Sequence, residues 1–215
     1  MAIKRSALRS QVREEVLHRM RTGAVKPGQR INEVQFAAEL GISRTPLREA
    51  LIALEGEGQI ASESGKGFSF LPLNPTELLD LAPIIATLEG LALDLSRPDD
   101  LRAVGLQLRM LAEQFADESA ELALLNQRDD EWHQLMCSVC PNQRLLTVIE
   151  NVRAAFHRYE ALLFTDDHVV GRRAEEHLGI AQHLVDGDVA AAKQALAQNW
   201  IQGARRLLDA LTPTV

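Results

Sequence analysis

The sequence predicts a mainly α-helical chain in two parts: a small N-terminal unit of three helices and a hairpin, then a larger bundle made only of helices. Three observations carry this. Ala and Leu are abundant while aromatic residues make up 4%, a balance that favours helix over sheet. Apolar residues recur at three- and four-residue spacing along most of the chain, and the pattern shifts to short strands near residues 60–71. Between the two parts, Pro72-Leu73-Asn74-Pro75 breaks any regular element.

The first helix is expected from about Ser6 to Arg21, with Ile3, Leu8, Val12, Val16, Leu17 and Met20 as its apolar stripe. Gly23 and Pro27-Gly28 end it in a turn. A second helix follows Asn32, a good N-cap with Gln35 at the reciprocal capping-box position. Its buried side is expected to be Val34, Ala37, Ala38 and Leu40, and Gly41 ends it. Ser43 is the expected hydroxyl cap of a third helix, which tolerates Pro46 in its first turn. Leu47, Ala50, Leu51 and Leu54 recur at i, i+3, i+4 and i+7 as its buried face. Two helices joined by Gly41-Ile42-Ser43 have the dimensions of a helix-turn-helix. Ile60–Glu63 and Phe68–Leu71 read as two strands around a Ser64-Gly65-Lys66-Gly67 turn, a plausible wing. The expected boundaries are therefore 1–72 for a winged helix-turn-helix, 73–75 for a linker and 76–215 for the helical part.

Six helices are expected in that second part, near 76–96, 99–117, 119–138, 142–165, 169–186 and 188–211. Pro98-Asp99, Pro141-Asn142 and Gly187-Asp188 are among the punctuating pairs. No apolar run reaches the roughly 18 residues of a membrane span, and the opening residues lack the apolar core of a secretory signal. Cys137 and Cys140 form a single CxxC without a second pair. These features predict a cytoplasmic protein with no membrane partner. The formal charge is uneven. Residues 1–72 carry 11 Lys+Arg against 8 Asp+Glu, and residues 73–215 carry 12 against 22. A basic module joined to an acidic one suits a nucleic-acid reader carried by a domain that avoids phosphates.

The run from Met20 to Gly67 resembles the DNA-binding domain of the GntR family of regulators. The matching residues are Gly23, Pro27-Gly28, Glu33, Ala38, SRTPLREAL at 43–51, Leu54, Gly58 and Gly65. The resemblance implies Arg44, Thr45, Arg48, Gly65 and Lys66 as DNA contacts. The residues themselves agree. Arg44, Thr45 and Arg48 lie on the outward side at the start of the third helix, where a recognition helix meets base edges. A glycine at the wing tip permits close approach, and Lys66 neutralises phosphate. The alternative is that Arg44 and Arg48 are solvated charges paired with Glu49.

The C-terminal part resembles the all-helical FCD ligand domain of the FadR subfamily, in its six-helix, VanR-like form. The matches are Leu88-Glu89-Gly90, DDEWHQLM at 129–136, Asn142 with Leu145, and EEHLGIAQHLVDGDVAAA at 175–192. The family often holds a divalent metal between an Asp, a His four residues on and two later His. Asp129, His133 and His177 match the first three. The fourth position is Asn199, a weaker oxygen ligand for late first-row metals. The resemblance thus implies a pocket for a small organic-acid effector, with zinc, nickel or manganese as the possible metal. Asn199 belongs to that pocket, and Arg153 and His157, one helical turn apart, are candidates to hold a carboxylate. The predicted function is a homodimeric transcription regulator, most simply a repressor, on a palindromic double-stranded operator. Two other readings are a metal-sensing regulator and, more remotely, a metal-dependent enzyme, for which no activated nucleophile is evident.

Overall fold

The computed structural model describes residues 3–113, 122–160 and 167–211. The chain divides into two units, 1–74 and 75–215. Among the described residues, no helix is long and apolar enough to cross a membrane.

In the first unit, α1 (Ile3–Arg21) and α2 (Glu33–Glu39) pack on α3 (Arg44–Gly56), which also supports the hairpin of β1 (Ile60–Glu63) and β2 (Gly67–Phe70). The hairpin is antiparallel, with Ile60 opposite Phe70 and Ser62 opposite Phe68. Gly65 and Gly67 adopt the positive φ that its tight turn requires. The core joins Val12, Val16, Leu17 and Met20 to Leu47, Ala50, Leu51 and Leu54, and is closed by Ile60, Phe68 and Phe70. Leu47, Leu51 and Leu54 are fully buried, each such side chain stabilising the unit by roughly 1.5–3 kcal/mol.

Three local expectations need correction. The buried side of α2 is Phe36 and Ala37, whereas Val34 is 62% exposed and Ala38 also faces out. Seven residues are two turns, so several apolar stripes fit the pattern and contact with α3 selects one. Asn32 does cap α2, accepting from Gln35 N at 3.2 Å, but the Gln35 side chain reaches forward to Glu39 rather than back to the cap. Ser43 stands at the N-cap of α3 without a side-chain hydrogen bond. Pro46 is the third helical residue, so one of the two amides a cap hydroxyl normally accepts from does not exist.

Residues 71–74 are irregular and Pro75 opens α4 (Pro75–Leu95), so the expected linker loses its last residue to the helix. Proline suits that first helical position, where its missing N–H has no partner to lose. The remaining helices are α5 (Pro98–Glu113), α6 (Leu122–Cys137), α7 (Gln143–Glu160), α8 (Asp167–Asp186) and α9 (Val189–Leu211). They match the expected six closely, and the expected ends at 117, 119 and 165 lie outside the described residues. Asn142 caps α7 through Leu145 N at 3.1 Å and Asp188 caps α9 through Ala191 N at 2.9 Å. α4 packs along α9 and α7, α5 along α8 and α6, and α8 along α9. Gly105 lets α5 approach α8 closely, since a Cβ there would come within 3.1 Å of Leu184 and Val185. The inner stripe of α4 is Leu78, Ala82, Ile85, Ala86, Glu89, Ala92 and Leu93, apolar except for one carboxylate.

Candidate nucleic-acid interface and ligand pocket

On α3 the apolar face is turned into the core, which leaves Arg44, Thr45, Arg48, Glu49 and Ile52 lining an open groove on the outward side. The carboxylate facing both arginines is not Glu49 but Glu33, the first residue of α2. Its Oε2 lies 3.9 Å from Arg44 Nη2 and 3.6 Å from Arg48 Nη1. Arg48 also sits over the Phe68 ring of β2, 5.8 Å from the centroid. At the hairpin tip Gly65 and Lys66 are exposed, and Lys66 pairs with Glu63 at 2.5 Å. The groove and the hairpin tip offer cations and small residues to an anionic, grooved partner.

In the second unit, α6 and α8 bring Asp129, His133 and His177 together, with ligand atoms all within 4.8 Å of one another. His177 Nε2 is 3.4 Å from Asp129 Oδ1, and His133 Nε2 is 3.9 Å from Asp129 Oδ2. The other ring nitrogens are occupied. His177 Nδ1 donates to the Arg173 carbonyl at 2.7 Å, and His133 Nδ1 donates to Glu89 Oε2 at 2.9 Å. A carbonyl can only accept, so the proton of neutral His177 is on Nδ1 and its Nε2 lone pair points toward the Asp129 carboxylate. Burial pushes the His177 pKa down to about 4, Asp129 opposing it, so the ring is neutral near pH 7. Burial works against the Asp129 charge as well, but Arg173 with the two imidazoles outweighs it and holds the carboxyl below its usual range. Two imidazole nitrogens and an ionised carboxylate oxygen form a donor set that fits zinc, nickel or manganese with positions left for an exogenous ligand. The outer hydrogen bonds fix the rings in the ligating tautomer.

Beside this cluster lies a small cavity of ≈ 40 Å³, lined by Asp129, Arg173, Asn199, Trp200 and Arg206 among others. One water needs roughly 10–15 Å³ of such space, so a ligand of a few heavy atoms fits without rearrangement. Asn199 lies on its wall. Its Nδ2 donates to Glu176 at 2.8 Å, and Arg206 grips the same carboxylate with two nitrogens at 2.8 and 3.0 Å. One N–H of the Asn199 amide is thereby directed to Glu176.

Arg153 and His157 converge on Asp130 instead. Arg153 Nη2 donates to the Asp130 carboxylate at 2.6 Å and to its carbonyl at 2.8 Å, while His157 Nε2 meets Oδ1 at 2.6 Å. An internal carboxylate thus fills the place that was expected for an effector carboxylate. Burial opposes the charge of Arg153, but Asp130 and Glu89 more than compensate and raise its pKa.

Both halves of the chain match known families over most of their length. Residues 8–70 match the model of the bacterial regulatory proteins of the gntR family, and residues 81–201 match the FCD domain. The chain belongs to the GntR family. Among its relatives, an HTH-type transcriptional regulator of Bacillus subtilis, YdhC, is 32% identical, the match covering 80% of this chain and 78% of that one. The Nta operon transcriptional regulator of Aminobacter aminovorans is 36% identical, over 75% and 76%. The fold of McbR/YncC from E. coli superimposes with a TM-score of 0.80 at 21% identity, covering 95% of this chain and 99% of that one.

Several polar residues of this GntR-family pocket were not expected. Glu89 of α4 is fully buried and its Oε2 accepts from both His133 Nδ1 and Trp200 Nε1, the latter at 2.7 Å. Its Oε1 makes no hydrogen bond among the described residues and faces Arg153 Nε at 3.9 Å. Arg173 leans on Asp129 at 3.8 Å and donates to Asn126 at 3.1 Å. A signal for Glu89 existed, since it is the single charge in the buried register of an apolar helix. Asp130, Arg173, Glu176 and Arg206 gave none, because their partners lie 23 to 47 residues away. Cys137 and Cys140 are buried free thiols, and burial pushes Cys137 well up, which keeps the metal-free thiol protonated.

Proposed function

We propose that this GntR-family regulator is a repressor that reads a palindromic operator as a homodimer and releases it when a small organic acid binds the second unit. In this reading Arg44, Thr45 and Arg48 of α3 enter the major groove, and the wing tip Gly65-Lys66 meets the backbone or minor groove. The observation that carries it is the outward groove of α3, where two exposed arginines and a threonine stand on a helix whose other face is fully buried. Asp129, His133 and His177 would hold zinc, nickel or manganese, which in turn supplies a Lewis-acidic position for a carboxylate. Asn199 and Arg173 supply polar contacts on the cavity wall, and Arg153 and His157 would join them only on leaving Asp130. Such a ligand controls DNA binding only if it binds the operator-competent and released states with different affinity. The protein is proposed to act in the cytoplasm.

A second reading, in which the metal itself is the signal, is favoured by how closely the three ligand atoms already sit. One experiment separates the two. A duplex enriched by the protein from a randomised library is titrated in the presence of zinc alone, then zinc with acids of two to six carbons. Release that needs an acid supports the effector reading, and release by zinc alone supports metal sensing. Failure to enrich any duplex would sink both.

A further inference from the structure

Glu33 stands where three elements of the first unit meet. The residues before it are tied to the wing: Ile31 N donates to Phe68 O at 2.9 Å, Gly28 N to Phe70 O at 3.1 Å, and Arg30 bridges Ser69. Two residues later α2 begins under its Asn32 cap, with Glu33 as the first helical residue. The carboxylate is therefore anchored to the wing and to α2 at once, and it is aimed at α3. Its side chain is 12% exposed, against 60% for Arg44 and 56% for Arg48. Oε2 is buried and makes no hydrogen bond among the described residues, and the only cations it approaches there are those two guanidinium groups. Oε1 lies on the other side, 4.0 Å from where a Cβ on Gly67 would stand.

A buried carboxylate oxygen that accepts no hydrogen bond is destabilising unless charge compensates it. Here the compensation comes from two long, exposed side chains at 3.6 and 3.9 Å, just beyond hydrogen-bond distance. The fixed partner is the carboxylate, and the movable partners are the arginines. Two consequences follow. The negative charge restricts where each guanidinium group can go, while the Phe68 ring supports Arg48 from the wing side. The same charge subtracts from the positive field of the reading face, which weakens attraction to phosphates of any sequence.

We propose that Glu33 is a specificity-determining positioning residue: it pins Arg44 and Arg48 for base edges and suppresses binding to the sugar–phosphate backbone of arbitrary DNA. This rests on the assignment of α3 as the reading helix. In this scheme discrimination comes partly from a built-in penalty against the wrong partner, which costs some total affinity.

The test uses the full-length protein and two probes, a duplex enriched by the natural protein from a randomised library and a mixed-sequence duplex of equal length. Affinities are measured across about 50–200 mM salt, where phosphate-driven binding changes most. Glu33→Gln is expected to bind the mixed-sequence duplex more tightly and the enriched duplex less tightly, lowering the ratio of the two about tenfold. In the Arg44→Ala, Arg48→Ala background the same substitution should change the ratio by less than about twofold, because the residues through which it acts are gone. An unchanged ratio in the natural background overturns the proposal. So does an equal fall in the arginine-free background, which would mean that Glu33 acts on the fold. If Glu33→Gln lowers the melting temperature, Glu33→Asp, which keeps the charge and shortens the reach, is scored instead by the same two criteria. If the natural protein enriches no duplex, the DNA-reading assignment fails first and this proposal with it.

Discussion

Glu89 Oε2 and His133 Nδ1 are 2.9 Å apart and both fully enclosed, so a carboxylate on α4 sets which ring nitrogen of His133 on α6 is turned toward Asp129. Glu89→Gln keeps the shape and replaces the carboxylate that accepts from His133 Nδ1 with an amide. Zinc affinity of the full-length protein, measured by calorimetry, is expected to fall about tenfold or more, the scale at which outer-shell partners act. Equal affinity in the two proteins would show that His133 needs no such support.

Asn199→His tests whether the fourth expected position belongs to the metal site. Asn199 and Asp129 line one cavity, so an imidazole there should add a nitrogen ligand and raise zinc affinity at least about tenfold. The gain is net of the lost bond to Glu176. No gain would mean that position 199 does not reach the ion.

The pH dependence of the metal-free protein follows from His177. Its folded pKa is depressed to about 4, below the unfolded value of about 6.5. Between those values the unfolded chain carries the proton and the folded chain does not, so stability falls as pH drops from about 6.5 toward 4. The full span corresponds to about 3 kcal/mol. Asp129, His133 and Arg173 face the ring and shape the curve. Denaturant unfolding in the presence of a chelator should show this slope, and His177→Gln should flatten it. A slope of equal size in the variant would assign the effect to another group.

Arg44→Ala and Arg48→Ala should each weaken binding to an enriched duplex by roughly 1–3 kcal/mol, with a loss in melting temperature limited to the weakened compensation of Glu33, since both side chains are mostly exposed. Lys66→Ala should weaken enriched and mixed-sequence duplexes alike and reduce the salt slope by about one. Unchanged affinity in both arginine variants would remove α3 from the reading role.

The helical frame was legible because long amphipathic periods and capping residues are local signals. Asn142 and Asp188 cap α7 and α9 where the chain punctuation puts them. Asp129 and His133 were legible as a pair because the run at 129–136 resembles the FCD motif, and i, i+4 spacing puts both on one helix face. What was not legible depends on distance in sequence or on short elements. Phe36 rather than Val34 faces the core because α3 chooses among the stripes of a two-turn helix. Arg153 and His157 looked available for a ligand, and only the tertiary fold, which sets α6 and α7 against α4, reveals that Asp130 takes both.

The buried polar cluster beside the cavity draws side chains from five helices: Glu89 from α4, Asp129 from α6, Arg153 from α7, His177 from α8 and Trp200 from α9. Any ligand seated there opposes every local opening that separates those helices, and by mass action raises the folded population. Proteases in the cell act on opened forms, so occupancy would also lengthen the lifetime of the protein. Ligand would then leave two records of its presence, a rapid one on the operator and a slower one in how much regulator the cell contains.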